Sequence, residues 1–196
     1  ADDAVRAAIS ELYKVKVYNV DLIKDQESPI SIGLGLHFGH MMVGIVGEAG
    51  RMQGDALSDT VNLTARIEGL SKYYVVALLV SQLFFFNLLN PDEFELRLLD
   101  RVVVKGRSEP ISIYEVVDGE LDSKVRELKI ALRGDFEAAI ALYQDQQWAA
   151  ALSKFSEINI KNPDDKPVKV YIQRLGELFQ TPVSNSWDGV WKFKTK

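Results

Sequence analysis

Residues 54–66, GDALSDTVNLTAR, set groups able to do chemistry at fixed offsets: Asp55, Asp59, Asn62 and Arg66. Asn62 and Arg66 are four apart, so on a helix they share a face. A guanidinium suits the dispersed charge of a phosphate and stays protonated at any working pH. A carboxamide both donates and accepts, as contact with a sugar hydroxyl requires. Asp55 falls in a stretch, 48–58, whose glycines and aspartates predict a loop; its carboxylate can accept two hydrogens from an exocyclic amine. Lys105, in VVVKGR, adds a point charge at a strand-end turn. Asp55, Asn62, Arg66 and Lys105 together suit a phosphorylated, amine-bearing ligand such as ATP.

Each of these residues also has an ordinary reading. Asn62 and Arg66 fit a solvated helix face, Asp55 a turn, and Lys105-Gly106 a plain β-turn. His37 and His40 in HFGH are two metal-type ligands without a third. No Gly-rich phosphate loop with its Lys and Ser/Thr occurs, which excludes a P-loop. Spacing alone leaves the function open.

The elements that must position these groups show in the hydrophobic periodicity. Val5, Ala8, Ile9, Leu12 and Tyr13 give residues 3–17 a helical spacing. From Ile30 to Phe38 the period is two, a strand with glycines where another element can approach closely. MMVGIVG (41–47) is expected to pair with it across Gly39-His40. A helix is predicted from an N-cap at Ser58 or Asp59 to Tyr73, then a strand over 75–81 and a helical run QLFFFNLL stopped by Asn90-Pro91. FELRLLD (94–100), RVVVKG (101–106) and ISIYEVV (111–117) read as three further strands. The pattern is α+β.

After Gly119 no strand pattern survives up to Thr181. The chain becomes Ala-rich and helical, with candidate breaks near Gly134 and at 145–147 and a turn at NPDDKP. Ala151, Phe155 and Pro163 stand at the offsets of the second helix and terminal proline of a tetratricopeptide unit, without the first helix's Trp, Leu and Tyr. The expected boundary at 119–122 gives a domain over 1–119 and an all-α, TPR-like appendage over 120–196.

Bulk composition narrows the class. The 196 residues are 47% hydrophobic and 26% charged, with net charge −5 and a pI near 5.2. A global basic field for nucleic acid is absent, although a local cationic site is compatible with it. The chain contains no cysteine, so disulfides, thiolate metal sites and thiol nucleophiles are excluded. No apolar run approaches the ~20 residues of a membrane-spanning helix, and the expected location is cytoplasmic, including as the cytosolic part of a membrane-tethered protein. The opening ADDAVRAAISELY lacks an initiator Met and looks like the inside of a protein, as either Met removal or origin in something longer would give.

With these motifs together, ISIGLGLHFGHMMVGIVGEAGRMQGDALSDTVNLTARIEGLSK resembles the second half of a class III adenylate/guanylate cyclase catalytic domain. RVVVKGRSEPISIYEV is similar to that family's closing strand pair with its Lys-Gly turn. The likeness covers about residues 1–118. The helical tail is similar to appendages that follow this domain in some bacterial cyclases. The resemblance implies the later half of a ferredoxin-like sheet with flanking helices. It implies that Asn62 orients the ribose, Arg66 meets the transition-state charge, Asp55 reads adenine rather than guanine, and Lys105 holds the outer phosphates. The implied reaction converts ATP to cyclic AMP and pyrophosphate with two Mg²⁺ or Mn²⁺ ions.

Two departures accompany the likeness. Ser58 stands where the family has Gly. The family's metal-binding aspartates, and the lysine that partners Asp55, belong to strands that would precede this chain's first helix. Asp2, Asp3, Asp21 and Asp25 lie in that helix or the loop after it and cannot replace them, so no metal ligand is assigned in this chain. The expectation is therefore a C-terminal piece of a cyclase, inactive alone and self-associating as a homodimer. The alternative is a degenerate, non-catalytic module that binds nucleotide or a protein partner. The tail offers a further protein contact, although its Trp148, Phe155, Trp187 and Trp191 are as well suited to packing on the domain itself.

Overall fold

The computed structural model describes residues 1–48, 51–181, 183–184 and 187–193, with residues 46–48 and 51–57 described by their backbone alone. The chain opens with helix α1 (Asp2–Lys24), then strand β1 (Leu34–Leu36) and the strands β2 (Met42–Glu48) and β3 (Arg51–Leu57). Helix α2 (Asp59–Tyr74), strand β4 (Leu78–Ser81) and the one-turn α3 (Gln82–Phe85) follow, then strands β5 (Leu96–Val103) and β6 (Ile111–Val116). Four helices come next, α4 (Ser123–Ala131), α5 (Arg133–Gln144), α6 (Trp148–Lys161) and α7 (Lys166–Gln180), before a final strand β7 (Trp191–Lys192). A five-stranded sheet has the order β1-β4-β6-β5-β7, and β2-β3 form a separate two-stranded sheet. The mixed α+β class expected from the sequence is what forms.

Several boundaries differ from the periodicity, each for a local reason. α1 runs on to Lys24 because nothing breaks it before Asp25 and the left-handed Gln26. The predicted strand over 30–38 shortens to Leu34–Leu36. Ile30 is withdrawn from pairing because the Asn19 side chain takes both its N–H and its C=O, each at 2.8 Å. Residues 41–47 do not pair with that strand: β1 runs parallel to β4, while β2 pairs antiparallel with β3. The loop predicted over 48–58 is thus mostly strand β3, and Asp55 lies in it opposite Gly44. β5 is one strand rather than two, with an irregular register between Leu98 and Asp100. An inserted residue of this kind re-aims side chains, and Leu99 and Asp100 are consecutively buried there.

Gly33 and Gly35 do mark a close approach, by α2. A Cβ on Gly35 would stand 2.5 Å from the Glu68 backbone nitrogen, and one on Gly33 would stand 1.9 Å from Ser71 Oγ. Apolar side chains cover both faces of the sheet. On one, Val5, Ala8 and Leu12 of α1 meet Leu78, Val80 and Val116. On the other, α2 and the helices α5–α7 share a continuous cluster with Leu79, Leu99, Val102 and Ile113. Trp187 and Trp191 pack against this second cluster. Among the described residues, no helix is long and apolar enough to cross a membrane.

Candidate active site

α2 starts where the sequence predicts. Ser58 is its N-cap, with an extended backbone and Oγ accepting from Val61 N–H at 3.1 Å. A serine here therefore serves the helix entry. Leu63, Ile67 and Leu70 turn inward, which leaves Asn62 exposed and Arg66 half-buried on another face.

β5 ends in the turn Val104–Arg107, closed by Arg107 N–H donating to Val104 C=O at 3.1 Å. Gly106 takes the position that needs positive φ, at +74°. A Cβ there would also stand 3.3 Å from Arg66 Nη2, close enough to crowd the guanidinium. The Arg66 guanidinium thus lies against the turn that carries Lys105. Two residues on, Arg107 pairs with Asp59 in the first turn of α2. The start of α2 and the β5–β6 turn are therefore held together at two points.

The structure brings Arg66 and the Lys105 turn together, with Asn62 one helical turn from Arg66 toward the N-terminus. Asp55 is placed only by its backbone in β3, and its side chain lies outside the described ones. The Asp59–Arg107 tie was not foreseen, although both residues stood inside the motifs. The signal that could have found it is their opposite charge beside two segments already expected to converge.

Lys105 is exposed and Arg66 half-buried, so this acidic chain presents a local cationic patch suited to phosphate. A cleft of about 530 Å³ opens alongside, lined by His37, His40, Thr60, Ser81, Phe86 and Arg107 among others. Asn62, Arg66 and Lys105 are not in its lining; Asn62 and Lys105 are exposed, while Arg66 is half-buried against Gly106. His37 Nδ1 lies 2.7 Å from Ser81 Oγ. Burial, with the Arg107 charge nearby, lowers the imidazole pKa, and Asp59 opposes this.

Residues 4–117 match the family model described as the adenylate and guanylate cyclase catalytic domain. The chain belongs to this family. It is 38% identical over 183 residues to the "Adenylate cyclase, terminal-differentiation specific" of Dictyostelium discoideum, covering 92% of this chain and 8% of that protein. That match is long enough to run into the helical region. An adenylate cyclase of Anabaena cylindrica is 46% identical over 88 residues, 44% of this chain and 18% of that protein. A solved structure, the adenylyl cyclase CyaB from P. aeruginosa, superposes with a TM-score of 0.52 at 30% identity, covering 61% of this chain and 59% of that one. The chain thus spans less than a fifth of the length of either curated relative.

Cyclase-family membership implies divalent ions. Among the described residues, no group of three or more His, Asp or Glu could hold a metal ion. What this cyclase-family chain does present is a guanidinium against the turn that carries an ammonium, with a carboxamide one helical turn along α2.

Proposed function

We propose that the chain is the C-terminal part of an adenylate cyclase catalytic domain, converting ATP to cyclic AMP and pyrophosphate in second-messenger signalling. The observation that carries this reading is the Arg66 guanidinium packed against the Lys105–Gly106 turn, with Asn62 one helical turn away. In the reaction, the 3′-oxygen of ATP bonds to the α-phosphorus, the bond to the β-phosphate oxygen breaks, and the hydroxyl proton is lost. Asn62 orients the ribose that carries the attacking oxygen. Arg66 meets the charge building on the reacting phosphoryl group, where a preorganised donor is worth most. Lys105 binds the leaving phosphates as a point charge. Asp55 accepts from the adenine amine and disfavours the guanine carbonyl.

Two Mg²⁺ or Mn²⁺ ions would be held by carboxylates elsewhere in the complete enzyme, which makes this piece inactive by itself. The exposure of Asn62 and Lys105, beside a half-buried Arg66, fits a site completed by a second surface. We read that surface as belonging to a second copy of the domain, in a cytoplasmic homodimer. Met42, Val43 and Ile45 on β2 are each at least 72% exposed, and an apolar patch of this kind marks an interaction site. The α5–α6 pair we read as TPR-like.

The test is cyclic AMP formation by the full-length protein with Mn²⁺ or Mg²⁺. Asn62→Ala and Arg66→Ala are each expected to lower kcat by about 100- to 1000-fold. Parental rates in both variants overturn the assignment.

A further inference from the structure

Arg174 of α7 is 1% exposed, yet it lies far along the chain from every residue given a role above. Its Nη1 donates to Asp100 Oδ2 of β5 at 2.5 Å, and its Nη2 to the Tyr74 hydroxyl at 2.8 Å. Its Nε reaches the Tyr73 hydroxyl at 3.3 Å. Tyr74 in turn donates to the same Asp100 oxygen at 2.5 Å. Rings from three elements surround the guanidinium: Tyr73 and Tyr74 of α2, Tyr171 of α7, and Trp191 of β7 with its centroid 4.5 Å away. Burial, and to a lesser degree the Asp100 charge, push the Tyr74 hydroxyl well away from ionising, so it stays a donor. The α7 helix is also pinned to β5 directly, where the Tyr171 hydroxyl donates to Leu99 C=O at 2.9 Å.

The position of this hub matters more than its strength. Tyr73 and Tyr74 end α2, and Asp100 lies in the middle of β5. The other ends of the same two elements are the site: Asp59, Asn62 and Arg66 toward the start of α2, and Lys105, Gly106 and Arg107 just past β5. Eight helical residues separate Arg66 from Tyr74, about 12 Å at ~1.5 Å each. Three strand residues, about 10 Å at ~3.3 Å each, separate Asp100 from the end of β5 at Val103, where the turn that carries Lys105 begins. α2 and β5 are therefore two arms clamped at one end by Arg174 and meeting at the other where Arg66 touches the turn. A change in their spacing at the clamp is carried along rigid elements to that contact.

We propose that Arg174 is a positioning residue, setting the spacing of α2 and β5 so that Arg66 and the Lys105 turn meet, which makes the helical tail a working part of the nucleotide site. This rests on the cyclase reading for its activity readout but not for its structural one. Lysine cannot replace the fork: it is a compact charge with no planar face for the rings and no paired donors. Removing Arg174 alone strands a buried carboxylate, whereas removing Asp100's charge with it does not.

The experiment compares Arg174→Lys, Arg174→Met and the double variant Asp100→Asn/Arg174→Met in the full-length protein. It reads kcat and KM for ATP, the urea midpoint, and amide hydrogen exchange at residues 60–66 and 104–107. The expected result is a kcat at least about tenfold lower in Arg174→Met, with faster exchange in both segments. The double variant regains the urea midpoint but neither kcat nor protection, and Arg174→Lys falls between. The proposal is overturned if kcat and protection in the double variant return together with stability. Wild-type values in folded Arg174→Met would also overturn it. A full-length protein that makes no cyclic AMP sinks the cyclase reading alone, and the exchange pattern still decides the role of Arg174.

Discussion

On one face of the five-stranded sheet, α1 lays Val5, Ala8 and Leu12 against Leu78, Val80 and Val116 and then runs past the core. Val17, Val20 and Ile23 on its later turns stand in solvent. On the other face, α2 and the tail helices leave little uncovered and add buried charge. Arg97 of β5 donates both terminal nitrogens to Asp165 at 2.7 Å, and its Nε to Glu115 of β6 at 2.7 Å, while stacking over Phe136. Lys129 of α4 closes the group by donating to Glu115 and Glu120. Apolar burial alone tolerates a slid or tilted partner, whereas paired charges out of water tolerate only the geometry that satisfies them. The contrast is one of depth: the tail is held in one register by charges paired inside the packing. The polar ties of α1, Asp2 accepting from Leu89 and Asn90 N–H and Arg6 paired with Glu93, lie at its first turns and leave the middle of that face to apolar contact.

The largest expected effect tests the charged face. Arg97→Met leaves Glu115 and Asp165 without their shared partner and should cost about 3–5 kcal/mol, measured by urea unfolding at neutral pH. A loss below about 1 kcal/mol would mean that the group does not fix the tail. On the other face, Leu12→Ala should cost about 3 kcal/mol, as for a buried Leu emptied into a packed core. The same helix supplies its own control: Val17→Ser, 66% exposed, should stay within about 0.5 kcal/mol. A loss at Val17 as large as at Leu12 would show that the outer side of α1 is covered in solution.

Acid tests the contrast without a substitution. Burial alone would raise the Glu115 pKa, but the Arg97 and Lys129 charges outweigh it and hold the carboxyl below its ordinary 4.5. A carboxyl lowered on folding contributes stability above its unfolded value and loses that contribution as pH falls through the folded one. The urea midpoint should therefore drop as pH falls below 4.5, with amide protection lost across α4 and α7 and, on the α1 face, only at the first turn, where the Leu89 and Asn90 N–H groups hold the Asp2 carboxyl low. Glu115→Gln should flatten this response. Equal loss of protection on both faces would remove the distinction.

How far these features were legible depended on whether the signal was local. The start of α2 was, because Ser58, Asp59 and the apolar spacing after them all lie within a few residues. So was the close approach at Gly33 and Gly35, although not which element would approach. The α+β class and the catalytic-family likeness followed from the motif around Asn62 and Arg66. The pairing of β2 with β3 was missed because the glycines and polar residues of 51–57 hid an alternating strand. The single β5 was missed because its bulge at Leu99–Asp100 imitates a break. Arg97, Arg174 and Lys129 look like surface residues in sequence. Their partners lie 9 to 101 positions away, and only the packed tail takes them out of water.

β7 carries a consequence for the order in which the chain is made. Val102 of β5 finds its edge partner only at Trp191, eighty-nine residues later. At about 5–20 residues per second of synthesis, the outer edge of β5 waits about 4 to 18 s for the strand that closes it. A nascent chain therefore displays an open, apolar sheet border while α4 to α7 emerge, and that interval is when a ribosome-bound chaperone has most to protect.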